Sequence, residues 1–517
     1  MKNDTIDMVR NKFDIIPFVD IFLPYTDVFL YELEAINTSN ELVNKFHLAL
    51  LQELSLAAEV TLQEELDFFK NNEQGIYQEF VVKTKLLLAV KYPVLDTILK
   101  RIVNNYLKHI QNIFSNFSKD FTVIATTFSI KENVSIKDID TSLGDGHSGE
   151  STASVTLSNG TKLIYKPRNV DSANSYNLFI DWINFKLETN LKTIKCISNE
   201  NYGWLEFVTY EAANTPEELQ EYHYKAGILL AVTFILGSKD CHFENIIASG
   251  KNPVIIDHET IIQPVISNQS IRTWDEQHKI PPLSVLESIL IVNPDTGVPL
   301  DYAGYGVNGN IEAMDMEKKV INPNTIDSKR DTRFVFRELV KENIPLFNEN
   351  YVFANDYGHY FIKGFSTTYD MFMTSREELK SCNSPILLFE NQKIRYVWRP
   401  TFIYFKILKY MRGATFMSSF EAYNSKLYEL MSKAYQKDKS KDFRFILEYE
   451  MKQMKNGDIP FFNLNSLDCN LEEDKIFKFF QYNCIDNIRN RIDLLSINHK
   501  NEQIEYIKKW LQINTSI

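Results

Sequence analysis

The chain has 517 residues and a formal net charge of −12, and 44% of its residues are hydrophobic, including 36 Phe and 26 Tyr. This composition supports large buried cores and excludes a disordered chain. The negative charge argues against general nucleic-acid binding, which needs basic surface to neutralise phosphates. At ~150 residues per domain, the length allows about three domains or one elaborated domain.

Cysteine spacing and the N-terminal sequence indicate in which cellular compartment we expect the protein. The five cysteines are scattered without a C-x-x-C pair, which predicts neither disulfides nor structural zinc. The N-terminus, MKNDTIDMVRNKFDIIPF, carries acids where a signal peptide needs an apolar run. The most apolar stretch, 226–236, is far shorter than the ~20 residues that span a bilayer. We therefore expect a cytoplasmic protein with no membrane insertion.

The first part of the chain, 1–118, shows apolar residues at spacings of three and four, which predicts helices. The pattern then changes. The segment DFTVIATTFSI, residues 120–130, is rich in β-branched and aromatic residues and predicts a strand. Its position suggests that a second, strand-containing region begins near residue 119.

A glycine-rich segment follows, GDGHSGE, with Gly144, Gly146 and Gly149 in a nominal G-x-G-x-x-G. Such a motif is weak by itself, but here two alternating runs separated by Asn159–Gly160 follow it. Asn-Gly predicts a hairpin in which both central residues have positive φ. A glycine-rich loop before a hairpin is typical of loops that cover ATP phosphates, and Lys166 at the end of the second strand would reach those phosphates. An ordinary exposed lysine is the alternative for Lys166.

The stretch 171–190 predicts a helix, and GWLEFV, residues 203–208, predicts a short strand and a hinge. Backbone groups around Glu206 and Val208 would pair there with adenine. A second helix is clearly marked: Thr215 caps it, Pro216 opens it and Glu218 completes a capping box, while Gly237 ends it.

The segment GSKDCHFENIIASGKNPVIIDHETIIQP, residues 237–264, concentrates the chemistry-bearing side chains. Asp240, His242 and Asn245 form a D-x-H-x-x-N loop, and a short apolar run then leads to Asp257 and Glu259. An acid can orient or deprotonate a hydroxyl, while amide and carboxylate oxygens hold Mg²⁺ on nucleotide phosphates. A polar loop followed by solvated carboxylates is the alternative for any one of these residues.

Beyond residue 264 the chain is irregular, and helical segments are predicted to resume around 331–342. The later stretch KIRYVWRPTFIYFKILKYM places Arg395, Arg399 and Thr401 among aromatic and branched residues. Arginine in apolar surroundings needs an anionic partner, which is either a structural carboxylate or a bound anion. Residues from about 416 to the C-terminus predict helices.

The order of these parts is a glycine-rich loop, a strand lysine, a hinge, the D-x-H-x-x-N loop and an acid at a strand end. That order predicts an α+β fold with a kinase-like, bilobal catalytic core and extensive helical additions at both ends, and the histidine in the loop is more like lipid kinases. The predicted parts are a helical region (1–118), an N-lobe (119–210), a C-lobe (211–415) and a helical C-terminal region (416–517).

At finer detail, GDGHSG, LSNGTKLIYKPR, GWLEFV, DCHFENIIASGKNPVIIDHET and RYVWRPTFIY together resemble the dehydratase domain of type II lanthipeptide synthetases, the LanM family. The resemblance runs from about residue 139 to 408. It implies that Ser and Thr of a ribosomal precursor peptide are phosphorylated from ATP, and that phosphate is then eliminated to leave dehydroalanine or dehydrobutyrine. Alternatives are a kinase that stops at phosphorylation and a pseudokinase that serves as a peptide-binding scaffold.

The resemblance also assigns roles. The implied kinase residues include Asp145 and His147 of the glycine-rich loop, together with Lys166, Asp240, His242, Asn245, Asp257 and Glu259, and the implied elimination residues are Arg395 and Thr401. Gly146 stands where the family's loop commonly has proline. Implied cofactors are ATP and Mg²⁺, with no zinc. Implied partners are a leader-bearing precursor peptide and a separate cyclase, because we expect a stand-alone dehydratase without the family's cyclase domain.

Overall fold

The structure of the chain is a computed structural model that describes residues 15–36, 38–131, 134–147, 149–266, 274–307, 312–338, 341–435, 441–471 and 478–512. In chain order the α-helices are α1 (Val19–Glu34), α2 (Asn40–Asn72), α3 (Tyr77–Lys91), α4 (Pro93–Thr127), α5 (Asp171–Leu187), α6 (Pro216–Leu236), α7 (Trp274–Gln277), α8 (Gly358–Thr374), α9 (Arg376–Lys380), α10 (Thr401–Tyr410), α11 (Ala414–Met417), α12 (Phe420–Ser432), α13 (Lys441–Met454), α14 (Cys484–Leu494) and α15 (Ile497–Trp510). The strands are β1 (Ile136–His147), β2 (Glu150–Leu157), β3 (Lys162–Lys166), β4 (Cys196–Ser198), β5 (Gly203–Glu206), β6 (Ile246–Ser249), β7 (Asn252–Ile255), β8 (Val265–Ile266), β9 (Glu312–Ile321), β10 (Lys329–Glu338), β11 (Leu346–Phe347), β12 (Asn350–Tyr351), β13 (Lys393–Tyr396), β14 (Phe462–Asn465) and β15 (Phe480–Tyr482).

The chain folds into two compact units that are each assembled from separate stretches of sequence. The first unit comprises Met1–Pro167, Met314–Arg337 and Pro400–Pro460, and the second comprises Arg168–Ala313, Glu338–Arg399 and Phe461–Ile517. These units cut the chain at places other than the boundaries of the four predicted regions, and those regions stay a prediction. Within the described ranges, no helix combines the length and the apolar composition that crossing a bilayer requires.

In the first unit, α1 to α4 pack against one another around a stripe of buried side chains. On α4 this stripe includes Leu95, Leu99, Val103, Ile113 and Ile124. Its spacing of three and four continues through the segment that we predicted as a strand, residues 120–130. That prediction is wrong, because the helical period of the buried positions outweighs the β-branched composition of the segment.

The first unit also holds the glycine-rich segment, which lies where β1 meets β2. We call β1 and β2 the glycine-rich hairpin. Strands β1, β2 and β3 pair antiparallel in that order. At the predicted turn, Gly160 donates its N–H to Leu157 O at 2.9 Å and has a φ of 88°. The predicted hairpin of β2 and β3 is confirmed. Asn159 keeps a negative φ, however, so only one of the two central residues adopts the left-handed conformation.

The segment predicted as helical around 331–342 is instead largely strand β10. Within KRDTRFVFRE, Phe334 and Phe336 are two residues apart and lie on one face of the strand, where they are 69% and 77% exposed. The helical prediction is therefore wrong for this segment, in which Phe334, Val335 and Phe336 are residue types that favour strands. Residues 339 and 340 lie outside the described residues.

In the second unit, α6 is the central buried helix. Thr215 caps it by accepting from Glu218 N at 3.3 Å, as predicted. The Glu218 carboxylate reaches back to Asn214 N at 2.6 Å, one residue before the position that a capping box requires. Gly237 ends the helix with a φ of 69°, and a Cβ there would lie 2.6 Å from Asn487 Nδ2.

Short strands complete the second unit. β4 pairs with β5, β6 with β7, β8 with β15, and β13 with β14. The C-terminal region was predicted as helical, and α12 to α15 agree, but β14 and β15 return to pair with strands earlier in the chain. Strands of three or four residues carry too little periodicity to be recognised from sequence.

Candidate active site

The D-x-H-x-x-N loop of the second unit starts directly after the left-handed cap of α6. The side-chain amide of Asn245 donates to the backbone carbonyl of Asp240 at 2.7 Å, which closes the loop on itself. Asp240 has a φ of 62°, a conformation that aspartate tolerates better than most residues. Because the amide nitrogen of Asn245 donates to Asp240, its oxygen points away from that carbonyl.

His242 is held by an aromatic ring and by one backbone hydrogen bond. Its ring stacks on Tyr302, with 5.1 Å between centroids and 10° between planes. Its Nδ1 accepts from the N–H of Glu244 at 3.3 Å, which leaves the proton of a neutral imidazole on Nε2. That Nε2 lies 3.8 Å from Asp240 Oδ1. Burial, together with Asp240 and Glu244, raises the pKa of the Tyr302 phenol, so Tyr302 stays neutral.

The hairpin of β6 and β7 brings Asn245 and Asp257 to the same end. Ile246 pairs with Ile255, and the N–H of Ile256 donates to Asn245 O at 3.0 Å. Asn245 is thus the residue before the hairpin, and Asp257 comes just after it. The Asp257 carboxylate accepts from the N–H of Glu259 at 3.1 Å, which fixes its orientation.

The donor chemistry at this end of the hairpin suits Mg²⁺. Among the described residues there is no group of three or more His, Cys, Asp or Glu that could hold a metal ion. Mg²⁺ on a nucleotide does not need such a group, because one or two protein oxygens are completed by phosphate oxygens and water. Asn245 and Asp257 supply one amide and one carboxylate oxygen of that kind.

Glu259, which we predicted as a further metal ligand, lies among arginines. Arg168 Nη1 donates to its Oε2 at 3.0 Å, and Arg395 Nη1 lies 3.7 Å from the same oxygen. The backbone joins them too, since Arg395 N donates to Glu259 O at 3.1 Å. Both guanidinium groups lie over the ring of Phe461, at 4.8 and 5.2 Å. Arg395 therefore has the anionic partner that its apolar sequence context predicted.

The predicted hinge residues lie on and after β5. Glu206 exchanges hydrogen bonds with Lys195: its N–H donates to Lys195 O at 2.9 Å, and its carboxylate accepts from Lys195 N at 3.2 Å. Val208 is buried. The N–H of Glu206 is therefore used inside the β4–β5 hairpin, and pairing of this segment with adenine stays a prediction.

The remaining predicted site residues belong to the first unit. Lys166 is the last residue of β3 and is buried, and Thr401 is the first residue of α10. Gly144 lies on β1 with a φ of 78°. Asp145 and His147 also lie on β1, but their side chains are outside the described residues. The N–H of Gly149 donates to Asp458 Oδ1 at 3.0 Å.

Sequence reasoning missed several residues of this site. Arg168 follows Lys166 and Pro167 directly, so its position beside a predicted phosphate-binding lysine was a usable signal. Tyr302 and Phe461 are distant in sequence from the residues that they contact. No local pattern marks them, because folding alone brings them to the site.

Comparison with known proteins places the chain in a family. Residues 92–465 match the family described as Domain of unknown function (DUF4135), and the chain belongs to that family. The chain is also similar to the lacticin 481/lactococcin biosynthesis protein LcnDR2 of Lactococcus lactis subsp. lactis, with 26% identity over 485 residues. That alignment covers 87% of this chain and 50% of the relative, so the chain spans about half the length of the curated relative it matches. The two matches confirm the resemblance to the type II lanthipeptide synthetases.

Proposed function

We propose that the chain dehydrates Ser and Thr of a ribosomal precursor peptide in two steps, phosphorylation from ATP and elimination of phosphate. The relative named as a lacticin 481/lactococcin biosynthesis protein supports a lantibiotic precursor as the substrate class. The motif order supports a kinase-like, bilobal core, with ATP and Mg²⁺ as the cofactors. A leader-bearing peptide is the proposed partner, and a separate cyclase is proposed to act after dehydration.

One observation carries the phosphorylation step. The β6–β7 hairpin holds Asn245 and Asp257 at one end, and the same Asn245 is hydrogen-bonded to the backbone of Asp240. The residue that handles the hydroxyl and the two oxygen donors for Mg²⁺ are thereby joined in one small folded element. Phosphoryl transfer depends on such positioning and on charge neutralisation more than on covalent chemistry.

The protein groups have distinct roles in the first step. Asp240 orients the attacking hydroxyl and accepts its proton as the oxygen bonds to the γ-phosphorus of ATP and ADP leaves. His242, with its proton on Nε2 toward Asp240, keeps that carboxylate in place. Lys166 supplies positive charge to the phosphates. Asn245 and Asp257 would hold Mg²⁺, which would supply positive charge to the phosphate oxygens.

The second step breaks the bond between Cβ and the phosphate oxygen. A general base takes the Cα proton, the electrons of that C–H bond form the Cα=Cβ double bond, and the C–O electrons leave with inorganic phosphate. Arg395 stabilises the leaving phosphate by paired hydrogen bonds. Thr401 is proposed to donate a hydrogen bond to it.

The test is incubation of the protein with ATP, Mg²⁺ and its precursor peptide, followed by mass spectrometry. We expect a loss of ~18 Da for each modified Ser or Thr, the mass of water removed by phosphorylation and elimination. An Asp257→Asn variant should lower peptide phosphorylation at least ~100-fold, because it removes an anionic Mg²⁺ ligand. An Asn383→Asp variant, on an exposed loop of the same unit, is the control and should react like wild type.

Other outcomes identify the alternatives. A stable gain of ~80 Da, with no loss of mass in the product, would show a kinase that stops at phosphorylation. Peptide binding without any ATP consumption would indicate a scaffold. Undiminished ATP turnover by Asp257→Asn would remove Asp257 from the metal site.

A further inference from the structure

Two arginines of the second unit meet at a single carboxylate oxygen and a single aromatic ring. Arg168 and Arg395 lie 3.0 and 3.7 Å from Glu259 Oε2, and their side chains are only 19% and 13% exposed. Both guanidinium groups also lie over Phe461. This cluster, Arg168–Glu259–Arg395–Phe461, therefore places two largely buried cations at one point beside one carboxylate.

A structural arginine of the same unit looks different. The guanidinium of Arg491 donates from Nε to Asn487 at 3.2 Å, from Nη1 to Phe234 O at 3.0 Å and from Nη2 to Glu287 at 2.5 Å. Its side chain is 2% exposed, and all three of its nitrogens are engaged by protein. That is the pattern expected when burial of an arginine serves only the fold.

Most N–H donors of the Arg168 and Arg395 guanidinium groups make no hydrogen bond to the described residues. Each guanidinium has five N–H donors. Within the described part of the chain, Arg168 donates one hydrogen bond, to Glu259, and the contact of Arg395 with Glu259 at 3.7 Å is longer than a hydrogen bond. Two cations against one carboxylate leave an excess of positive charge, which an anion with several acceptor oxygens would neutralise.

We propose that Arg168 and Arg395 together form a phosphate clamp, in which Arg168 is a second binding residue and Glu259 and Phe461 are positioning residues. The ligand is the phosphate monoester of the modified peptide and the inorganic phosphate that it releases. This inference rests on the proposed function, and it assigns Arg168 a role that the family resemblance did not imply.

The backbone around the cluster is built to hold the two guanidinium groups in place. Arg395 lies on β13, where it pairs with Asn463 of β14, and its carbonyl accepts from Gln263 Nε2 at 2.8 Å. Glu259 in turn is fixed by the bond from its N–H to Asp257. Glu259 lies two residues after the predicted metal ligand Asp257. The clamp is therefore close to the site at which we propose that phosphate is transferred.

Glu259 acquires a new role in this arrangement. Its carboxylate lies beside the two guanidinium groups, and its N–H donates to the Asp257 carboxylate. If Glu259 were a metal ligand, its carboxylate would have to bind the metal in place of the two guanidinium groups or together with them. Glu259→Gln separates the two roles, because glutamine keeps an acceptor for Arg168 but loses the charge that a metal would need.

The experiment uses a precursor peptide carrying phosphoserine by synthesis, so that elimination is measured without ATP-dependent phosphorylation. Arg168→Gln should lower the elimination rate ~100-fold, because half of the charge on the leaving phosphate is no longer balanced. Arg168→Lys keeps the ion pair with Glu259 but not the planar fork, and should remain ~10-fold slow. Arg489→Gln, a half-exposed arginine of α14, is the matched control.

A second readout does not depend on catalysis. Titration with inorganic phosphate, followed by calorimetry, should show binding to wild type that is at least ~5-fold weaker in Arg168→Gln and in Arg395→Gln. Glu259→Gln should weaken phosphate binding less than Glu259→Ala. A loss of phosphorylation in Glu259→Gln that excess Mg²⁺ restores would overturn its positioning role in favour of metal binding.

The outcomes keep the two proposals apart. If wild type neither phosphorylates nor dehydrates the peptide, the proposed function fails, and the phosphate titration still decides on the clamp. If wild type dehydrates the peptide and Arg168→Gln eliminates phosphate at the same rate, the clamp is overturned and the proposed function stands. Full rescue by Arg168→Lys would show that Arg168 is only a structural ion-pair partner.

Discussion

Single hydrogen bonds decide the chemistry of the second unit. The N–H of Glu244 fixes the tautomer of His242, and the carbonyl of Asp240 fixes the amide of Asn245. In each case a backbone group with only one possible role, donor or acceptor, determines which atom of a side chain faces the site. Asp240 adopts a left-handed conformation to present that carbonyl. Such strain is typical of functional loops, where neighbouring contacts hold it.

A buried histidine elsewhere in this unit predicts how stability depends on pH. His223 of α6 is 2% exposed, its Nδ1 donates to Leu219 O at 2.8 Å, and its ring stacks on Tyr357. Burial lowers its pKa from 6.5 to about 4. Below pH 6.5 this histidine therefore binds a proton in the unfolded chain but stays neutral in the folded chain until the pH approaches 4. Stability is complete above pH 6.5 and falls as the pH drops toward 4.

We expect urea denaturation to show this loss in wild type between pH 7.5 and pH 5, by about 2 kcal/mol from this residue. His223→Gln should lose less free energy of unfolding over the same interval, because glutamine does not titrate. His359→Gln, at an exposed position of α8, is the control and should follow wild type. Equal losses in wild type and His223→Gln would contradict the assignment.

At the scale of elements, two glycines allow α6 and α8 to cross in backbone contact. A Cβ at Gly227 of α6 would lie 2.0 Å from Phe361 O, and one at Gly364 of α8 would lie 1.9 Å from Tyr224 O. No side chain fits at either point, so the helices meet main chain to main chain.

Gly227→Ala and Gly364→Ala should each destabilise the second unit by about 1–3 kcal/mol or more, because neither helix can move aside without losing its packing. Thermal unfolding followed by circular dichroism measures the effect. Gly413→Ala is the control, since a Cβ there meets nothing nearer than 3.8 Å. Midpoints equal to that of the control would mean that the crossing tolerates a methyl group.

At the scale of the whole molecule, each unit is assembled from stretches that are far apart in the chain. In the first unit, Asp458 accepts the N–H of Gly149 although 309 residues separate them. A Cβ on Gly149 would also meet the side chain of Asn105, on α4, at 2.1 Å. Asn105 on α4 and Asp458 after α13 therefore lie against the end of the β1–β2 hairpin.

This contact predicts an effect on nucleotide binding under the proposed function. Asp458→Ala should raise the KM for ATP about 5-fold, which corresponds to the ~1 kcal/mol of one typical hydrogen bond, with a smaller change in kcat. Asp458→Asn keeps an acceptor and should lie between Asp458→Ala and wild type. Steady-state ADP release measures both constants. An unchanged KM in Asp458→Ala would show that the glycine-rich hairpin does not need this support.

The sequence by itself determined the elements that depend on near neighbours. The cap at Thr215, the stop at Gly237 and the turn at Gly160 were all predicted, because each is settled within a few residues by φ or by one local hydrogen bond. The D-x-H-x-x-N loop and the strand before Asp257 were predicted for the same reason. Their closeness follows from the hairpin that joins them.

Only the tertiary structure decided which distant residues complete the sites. It extended α4 to Thr127, into the segment predicted as a strand, where a long buried stripe outweighed local strand preference. It gathered Arg168, Glu259 and Arg395 at one oxygen and placed Phe461 beneath them. Such contacts depend on the packing of whole elements, which balances burial against chain entropy over hundreds of residues and leaves no short pattern to read.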